Sequence, residues 1–387
     1  MADGNVIAYN IAVFTSALFL LEFGADKFVD HTAIVARRTG IPDTIIALLT
    51  AGAEWEELVV VVSSLAQGRS SLAVGNIVGS AISNILGAFS LGLLFRGGEG
   101  PAQFDRSSRI YSVLLLIVTT FVIPITYFSR GTIWTACGAV LILVFAVYLV
   151  SVGLAISKGH LTAPEDSDDS SGEDSDTEST RTSVNEERSE DLPGVSTPLL
   201  QAQRVSRERR SLRYHIFYLT FGFLAICLAG YVISHAAMNI TDAVGLSDVL
   251  FGVIVLAVAT TLPEKFVAVM SGRRGHIGIL VANTAGSNIF LLSLCMGIIM
   301  VDTSGEFNGG NVNIYELAVL WGLTLAFALT VYVGGRFDRW IGGAMLICYV
   351  VFIVLEFTVI HNRADKVSYS SVSIQLTLSE TLLKPHP

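Results

Sequence analysis

The sequence predicts an all-α integral membrane protein whose ten transmembrane helices form two inverted five-helix repeats. Three observations lead to this fold class: an apolar composition, ten long apolar windows, and a set of polar residues that recurs after 207 positions. Of the 387 residues, 52% are hydrophobic and 15% are charged. Soluble domains carry about 25% charged residues, so the composition argues against a soluble enzyme.

The apolar windows give the predicted helices. A helix needs about 20 mostly apolar residues to cross the hydrocarbon with its backbone hydrogen bonds closed internally. Ten windows meet this requirement: 6–26, 43–66, 71–95, 109–129, 132–156, 214–234, 246–270, 277–300, 313–334 and 339–360. They predict a first five-helix repeat over residues 1–157, a second over 213–360, and a C-terminal tail over 361–387.

Residues 158–212 separate the two halves and differ from them in composition. The part 165–191 holds twelve Asp or Glu and two Arg, a net charge of −10, so the rest of the chain carries about +1 of the total of −9. So polar a segment cannot bury enough apolar surface to offset its ordering entropy, and we predict a disordered loop. Kinases or regulatory proteins are its expected partners. Because the rest of the chain is nearly neutral, it lacks the basic surface that binds nucleic acid, and nucleic acid is not an expected partner.

Lysine and arginine in the short loops predict the orientation in the membrane. The loops after the first, third, seventh and ninth windows contain ten of these residues and share a side with the 158–212 loop. The opposite side has five, including those of the tail. The loop is therefore expected in the cytoplasm, and both termini outside the cell or in a lumen. Either the plasma membrane or an endomembrane is compatible with this pattern.

The two halves repeat a set of polar and small residues at a shift of 207, the difference between Glu264 and Glu57. The matching pairs are Glu57/Glu264, Ser64/Ser271, Gly68/Gly275, Asn76/Asn283, Gly79/Gly286, Ser80/Ser287 and Ile82/Ile289. Chance identity between apolar segments would not favour Glu, Asn, Ser and Gly. Because five is an odd number, the second copy is expected upside down. Inverted repeats are typical of secondary transporters, whose binding sites lie near the midplane.

Polar residues follow one face of the third window. Asn76, Ser80 and Asn84 are four residues apart and form one stripe on a helix. Gly75 and Gly79 would let a neighbouring helix approach closely. Hydrogen bonds between helices are one explanation of this stripe, and an ion path is the other.

Carboxylates at membrane depth favour the ion path. Glu54, Glu57 and Glu264 lie inside apolar windows, where such residues usually face a cavity, a partner or an ion. Pro263 would interrupt the helix and free backbone carbonyls of the preceding residues. Carbonyls, hydroxyls and carboxylates are hard oxygen ligands that suit calcium or sodium rather than zinc or copper. Lys265 is not expected to neutralise Glu264, because adjacent helical residues do not face each other.

These motifs resemble those of the calcium/cation antiporter superfamily, most closely its sodium/calcium exchanger-type membrane repeats. The family pattern is Gly-Thr-Ser-x-Pro-Glu on one helix, then Gly-Asn-x-x-Gly-Ser-Asn-x-x-Asn or Asp on the next. Residues 75–84, 260–264 and 283–288 match it, so the resemblance covers both halves. It implies a transporter and not an enzyme. By position, it implies a cation site lined by Glu57, Ser80, Asn84, Thr260, Thr261, Glu264 and Ser287.

Two departures from the family pattern bear on the bound ions. In the first repeat, Ala53, Glu54 and Glu56 occupy the Thr, Ser and Pro positions. In the second repeat, Leu291 stands where relatives often carry Asp or Asn. Two interpretations of the additional acids remain open: Glu54 or Glu56 compensates for the missing oxygen ligand, or Glu56 lies on another face of its helix.

The sequence thus leads to the hypothesis of a secondary antiporter, without a resident cofactor, that exchanges calcium by alternating access. Sodium is the favoured counter-ion, and inorganic cations and the lipid bilayer are the expected partners. Glu57 and Glu264 would flank one midplane site for which the two ions compete. Two alternatives stay open because of Leu291: calcium/proton exchange, and a non-transporting sensor or scaffold with the exchanger fold.

Overall fold

The computed structural model describes residues 4–39, 54–98, 100, 102–128, 131–157, 211–304, 311–333, 335 and 337–360. Within these ranges the chain is helical, apart from turns and one antiparallel bridge between Ala102 and Gly335. Residues 158–210 of the predicted loop, the predicted tail and residues 43–53 of the second window lie outside the described residues.

The helices follow the apolar windows. In the described ranges they are α1 (Gly4–Arg38), α2 (Trp55–Ala66), α3 (Ser70–Leu94), α4 (Arg106–Phe128), α5 (Thr132–Ser157), α6 (Leu212–Val244), α7 (Asp248–Thr260), α8 (Leu262–Arg273), α9 (Ile277–Thr303), α10 (Ile314–Val333) and α11 (Asp338–Leu355). π-Helical stretches occur within α3 (Asn84–Phe89), α7 (Phe251–Leu256) and α9 (Phe290–Cys295), and after α11 (Glu356–Ile360).

The dimensions and exterior of these helices suit a lipid bilayer. Eight of the described helices are long and apolar enough to cross a membrane, and the bent pair α7–α8 makes a ninth when it is counted as one span. The second predicted window is described only from residue 54 onward, as α2. Large apolar side chains cover the outside: Phe19, Leu143 and Trp340 are 75%, 64% and 79% exposed. The chain is therefore a multi-pass membrane protein.

Helices α3 and α9 form the centre of the molecule. In their most apolar stretches 89% and 78% of the residues are buried, compared with 22% in α1 and in α5. Asn76, Ser80 and Asn84, the predicted polar stripe, are all buried. The stripe therefore faces protein and not lipid.

The internal repeat extends to the backbone. Helices α2 and α8 begin and end 207 residues apart, and α3 and α9 begin at the same interval. Gly68 and Gly275, which follow α2 and α8, are repeat-equivalent and both have positive φ values, 72° and 76°. Glycine adopts this conformation without steric cost. In the register of the repeat, the π-helical stretches of α3 and α9 begin one residue apart.

Small residues let α3 pack closely against α7. A Cβ atom added at Gly75 would lie 2.7 Å from the carbonyl oxygen of Val249. One added at Gly79 would lie 2.6 Å from the Cα atom of Val253. The close approach predicted for these two glycines is confirmed, and it brings the start of the broken α7–α8 pair against the polar stripe of α3.

One end of the molecule joins the loops after the third, seventh and ninth predicted windows. Arg96, which follows α3, forms an ion pair with Asp338 at the start of α11, with 2.5 Å between nitrogen and oxygen. The Gly97 N–H donates to the carbonyl of Gly272 near the end of α8, at 3.0 Å. Contacts thus group these loops on one side, as the charge pattern of the sequence requires.

The other end of α3 joins the loops after the second and sixth windows. Arg69 forms ion pairs with Asp242 at 3.0 Å and with Asp248 at 3.1 Å. Arg69 and Arg96 flank opposite ends of α3, so the two groups of loops lie at opposite ends of the molecule.

The substitution Gly79→Ala should destabilise the protein, because the added methyl group would overlap the backbone of α7. Overpacking of a buried site typically costs about 1–3 kcal/mol, and the thermal midpoint of the detergent-purified protein should fall accordingly. Gly322→Ala in α10 is the control, since no described atom lies within 4 Å of a Cβ at that position. Equal midpoints for Gly79→Ala and the wild type would contradict the close approach.

Candidate ion-binding site

The first carboxylate, Glu57, lies in the first turn of α2 and is fully buried. Its Oε1 accepts a hydrogen bond of 3.2 Å from the hydroxyl of Ser80 in α3. Thr260, at the end of α7, lies beside the same carboxylate. The first turn of a helix has free N–H groups and a partial positive charge, which stabilise an anion. Three residues predicted from the sequence therefore meet at this point.

Glu54 precedes α2 and belongs to the same cluster. The residue is 5% exposed, and its Oε1 accepts a hydrogen bond of 3.5 Å from Asn84 Nδ2. Asn84 also donates to the side-chain oxygen of Asn288 in α9, at 3.1 Å. Ser287 of α9 lies beside Glu54. Of the two additional acids in the first repeat, Glu54 is thus the one that contacts the predicted site residues.

The carboxylate of the second repeat, Glu264, follows a break in the helix. Helices α7 and α8 are bent by 47° at Thr261, and Pro263 lies in the first turn of α8. The proline fits there because this turn does not need its missing N–H. The Thr261 hydroxyl donates to the carbonyl of Ala257 at 2.6 Å. The predicted break is confirmed, and Glu264 occupies the first turn of a half-helix, as Glu57 does in α2.

Several buried oxygen atoms of this cluster have no hydrogen-bond partner among the described residues. They are Oε2 of Glu54, Glu57 and Glu264, and Oδ1 of Asn84. Such atoms are rare in proteins, and each costs about 1–3 kcal/mol when it is left without a partner. An ionised carboxylate can only accept hydrogen bonds. A cation would satisfy these atoms, and calcium prefers carboxylate and amide oxygens.

The carboxylates alone do not make a compact metal cluster. In the parts of the chain that the structure describes, no three His, Cys, Asp or Glu side chains are arranged to hold a metal ion. A cation between Glu57 and Glu264 would therefore also use hydroxyl or carbonyl oxygens. Ser80 and Thr260, which lie against Glu57, are suitable donors of this kind.

Two further departures from the family pattern, Glu56 and Leu291, form no hydrogen bond with this cluster of oxygens in the described part of the chain, and Ala53 lies outside the described residues. Glu56 interacts electrostatically with Glu57 and, more weakly, with Glu22 and Asp26 of α1. Leu291 is fully buried in the apolar core and supplies no side-chain oxygen. It lies in the π-helical stretch of α9, so its direction does not follow from regular α-helical spacing.

Lys265 is a site residue that the family motif does not indicate. Its side chain reaches α3, where Nζ donates to the hydroxyl of Ser83 at 2.9 Å. It also interacts electrostatically with Glu264, so the expectation that adjacent helical positions would keep the two charges apart is wrong. Nζ also donates to the carbonyl and hydroxyl oxygens of Thr261, at 3.0 and 2.6 Å. The signal in the sequence was the lysine itself, since ionisable residues within membrane helices are rare and usually functional.

Comparisons with known proteins agree with this geometry. The family model described as "Sodium/calcium exchanger protein" matches residues 9–154 and 214–358, one stretch in each half. CaxA of Alkalimonas amylolytica, a candidate antiporter, is 25% identical over 346 residues, covering 88% of this chain and 96% of CaxA. The sodium/calcium exchanger MaX1 of Methanosarcina acetivorans is 28% identical over 146 residues, covering 37% of this chain and 40% of MaX1.

The fold is also that of a solved structure. The sodium-calcium exchanger NCX_Mj, soaked with 10 mM Na+ and 10 mM Sr2+, superposes with a TM-score of 0.54 at 20% identity. The superposition covers 90% of this chain and 98% of NCX_Mj. The helices of the two proteins therefore share one arrangement.

Calcium should stabilise the purified protein against thermal unfolding, because it would bind the oxygen atoms that lack partners only in the folded state. A ligand at a hundred times its Kd contributes about 2.7 kcal/mol. Magnesium should give a smaller shift, since it loses its water ligands reluctantly. Glu264→Gln should lose most of the calcium-dependent shift. A shift of unchanged size in this variant would place the ion elsewhere.

Proposed function

The chain belongs to the sodium/calcium exchanger protein family, and from this membership we propose that it is a secondary antiporter that moves calcium against sodium. The observation that carries the proposal is that carboxylates of both repeats, Glu57 and Glu264, lie close enough in the centre to interact electrostatically. Glu57 and Glu264 each present an oxygen atom without a partner among the described residues. Inorganic cations are thus the substrates of this membrane protein, and no covalent step is involved.

The arrangement supports competition between ions for one site. Glu57 and Glu264 come from the first turns of α2 and α8, so a cation between them would be held by both repeats. A bound divalent ion, or a set of monovalent ions, offsets the carboxylate charge and lowers the cost of holding it in hydrocarbon. In this proposal, the two inverted five-helix repeats, ten spans in all, expose the site alternately to the two sides.

Sodium is the proposed counter-ion because the relatives MaX1 and NCX_Mj are sodium/calcium exchangers by name. Calcium/proton exchange is the second candidate. It is favoured by the apolar side chain of Leu291, which removes one oxygen that a second metal ion would otherwise use. The carboxylates retained in both repeats argue against a non-transporting sensor or scaffold.

We propose that the 158–212 loop is cytoplasmic and that both termini lie outside the cell or in a lumen. The loops rich in lysine and arginine support this orientation, and the contacts of Arg96 and Gly97 group three of them at one end. The loop would then be available to kinases or regulatory proteins. Either the plasma membrane or an endomembrane is consistent with this orientation.

Glu57→Gln and Glu264→Gln should each reduce sodium-driven calcium uptake by the reconstituted protein to less than about a tenth of the wild-type rate. Each substitution removes a charge from a buried ionic site, which is strongly destabilising for ion binding. Glu56→Gln is the comparison variant: among the described residues Glu56 interacts electrostatically with Glu57 but forms no hydrogen bond with a predicted site residue, so its uptake should fall less than that of either variant. If Glu57→Gln and Glu264→Gln both take up calcium faster than about a tenth of the wild-type rate, at equal amounts of folded protein, the two acids are not part of the ion site.

A further inference from the structure

Lys265 brings a positive charge to the cluster that the proposed exchange does not use. An ammonium group has three N–H donors, and all three have acceptors here: the Ser83 hydroxyl at 2.9 Å, the Thr261 carbonyl at 3.0 Å and the Thr261 hydroxyl at 2.6 Å. Carbonyl oxygens of broken transmembrane helices also bind sodium in transporters. The ammonium therefore occupies a position whose ligands suit a monovalent metal ion.

The surroundings of this side chain fit its length and its charge. A Cβ atom at Gly87, in the π-helical stretch of α3, would lie 2.8 Å from Lys265 Cε, so the glycine leaves room for the aliphatic stem. The Tyr349 hydroxyl of α11 donates to Ser83 at 2.7 Å. The hydroxyls of Ser83 and Thr261 are 2.8 Å apart. Contacts from α3, from α11 and from the α7–α8 break thus hold the ammonium and its oxygen ligands in place.

The charges of the cluster balance when Lys265 is included. Glu264, Glu57 and Glu54 all interact electrostatically with Lys265. Three carboxylates and one ammonium leave two negative charges, which one calcium ion neutralises. Without the lysine, the same three carboxylates would need a third positive charge at a depth where unbalanced charge is costly.

We propose that Lys265 is a tethered cation that fills a monovalent-cation subsite of the transport site in place of a co-bound metal ion. This inference rests on the proposed calcium exchange. Its consequence is that calcium binds and crosses without a monovalent co-ion. Lys265 then helps to determine how many counter-ions are exchanged for each calcium ion.

Comparison of the two repeats shows that Glu54 and Lys265 each occur in one repeat only. The repeat-equivalent of Glu54 is Thr261, and that of Lys265 is Leu58, so neither charge has a charged counterpart. The first repeat also carries Glu56, whose equivalent is Pro263, but only Glu54 of these two unmatched acids interacts electrostatically with Lys265. We infer that Lys265 offsets Glu54.

The test measures calcium uptake by the full-length protein in sodium-loaded vesicles. The outside medium contains either N-methylglucamine, a large organic cation, or potassium. Lys265→Met should lower uptake about tenfold or more in the organic medium, because it removes the positive charge that offsets buried carboxylates at membrane depth. Potassium should restore uptake by filling the emptied subsite.

Double substitutions test the charge balance directly. Glu54→Gln with Lys265→Met keeps two negative charges and should retain uptake within about threefold of the wild type in both media, since effects of coupled residues do not add. The matched control combines Glu56→Gln with Lys265→Met. It removes a carboxylate that is not among the three that interact electrostatically with Lys265, and it should not restore uptake. Lys27→Met, in α1, should behave as the wild type.

Wild-type uptake by Lys265→Met in the organic medium would overturn the inference, as would equal recovery in the two double variants. If Lys265→Met does not fold, the Glu54→Gln/Lys265→Met variant decides: active protein supports the inference, and inactive or unfolded protein overturns it. A wild type that takes up no calcium in any medium would instead contradict the proposed exchange. Calorimetry can then measure calcium binding to the same purified variants in the two media. The inference predicts weaker binding to Lys265→Met in the organic medium, and recovery with potassium or with the added Glu54→Gln substitution.

Discussion

Charge buried at membrane depth must be balanced by the protein or by a bound ion, and the rest of this structure depends on that constraint. Three glutamates and a lysine gather in the centre, enclosed by α3 and α9, the most buried of the described helices that could span a membrane. The outer helices face lipid with apolar side chains such as Phe19 and Leu143. Gly75 and Gly79 of α3 allow α7 to pack closely against α3, beside these charged residues.

Breaks in the helices create the chemistry of the site. The start of α2 places Glu57 in a first turn, and the bend at Thr261 does the same for Glu264. Each carboxylate therefore lies by the partial positive charge of a helix start, while the bend exposes the Thr261 carbonyl to Lys265. π-Helical stretches often mark functional sites, and Asn84 begins the one in α3. An uninterrupted α-helix would offer none of these groups.

The sequence predicted the apolar helices of the described ranges, eight or nine of which could cross a membrane, and it pointed to several polar residues that the structure brings together, because both follow from local rules. A bilayer requires about 20 apolar residues per span, and the repeat identified Glu57 and Glu264 together. Other features depended on contacts between helices. Packing at the start of α2 decides that Glu54 and not Glu56 is hydrogen-bonded to Asn84, and the path of Lys265 requires the space at Gly87. Neither feature has a signal in local spacing.

Anomalous diffraction from crystals of the wild-type protein grown with calcium would test the central claim most directly. The account predicts a calcium peak at about 2.3–2.6 Å from carboxylate oxygens of the central cluster, with Glu57 and Glu264 both among its ligands. It also predicts that the ammonium of Lys265 remains at its own position beside Thr261. A well-occupied calcium site elsewhere, with the oxygen atoms of Glu57 and Glu264 still without a cation, would contradict the account.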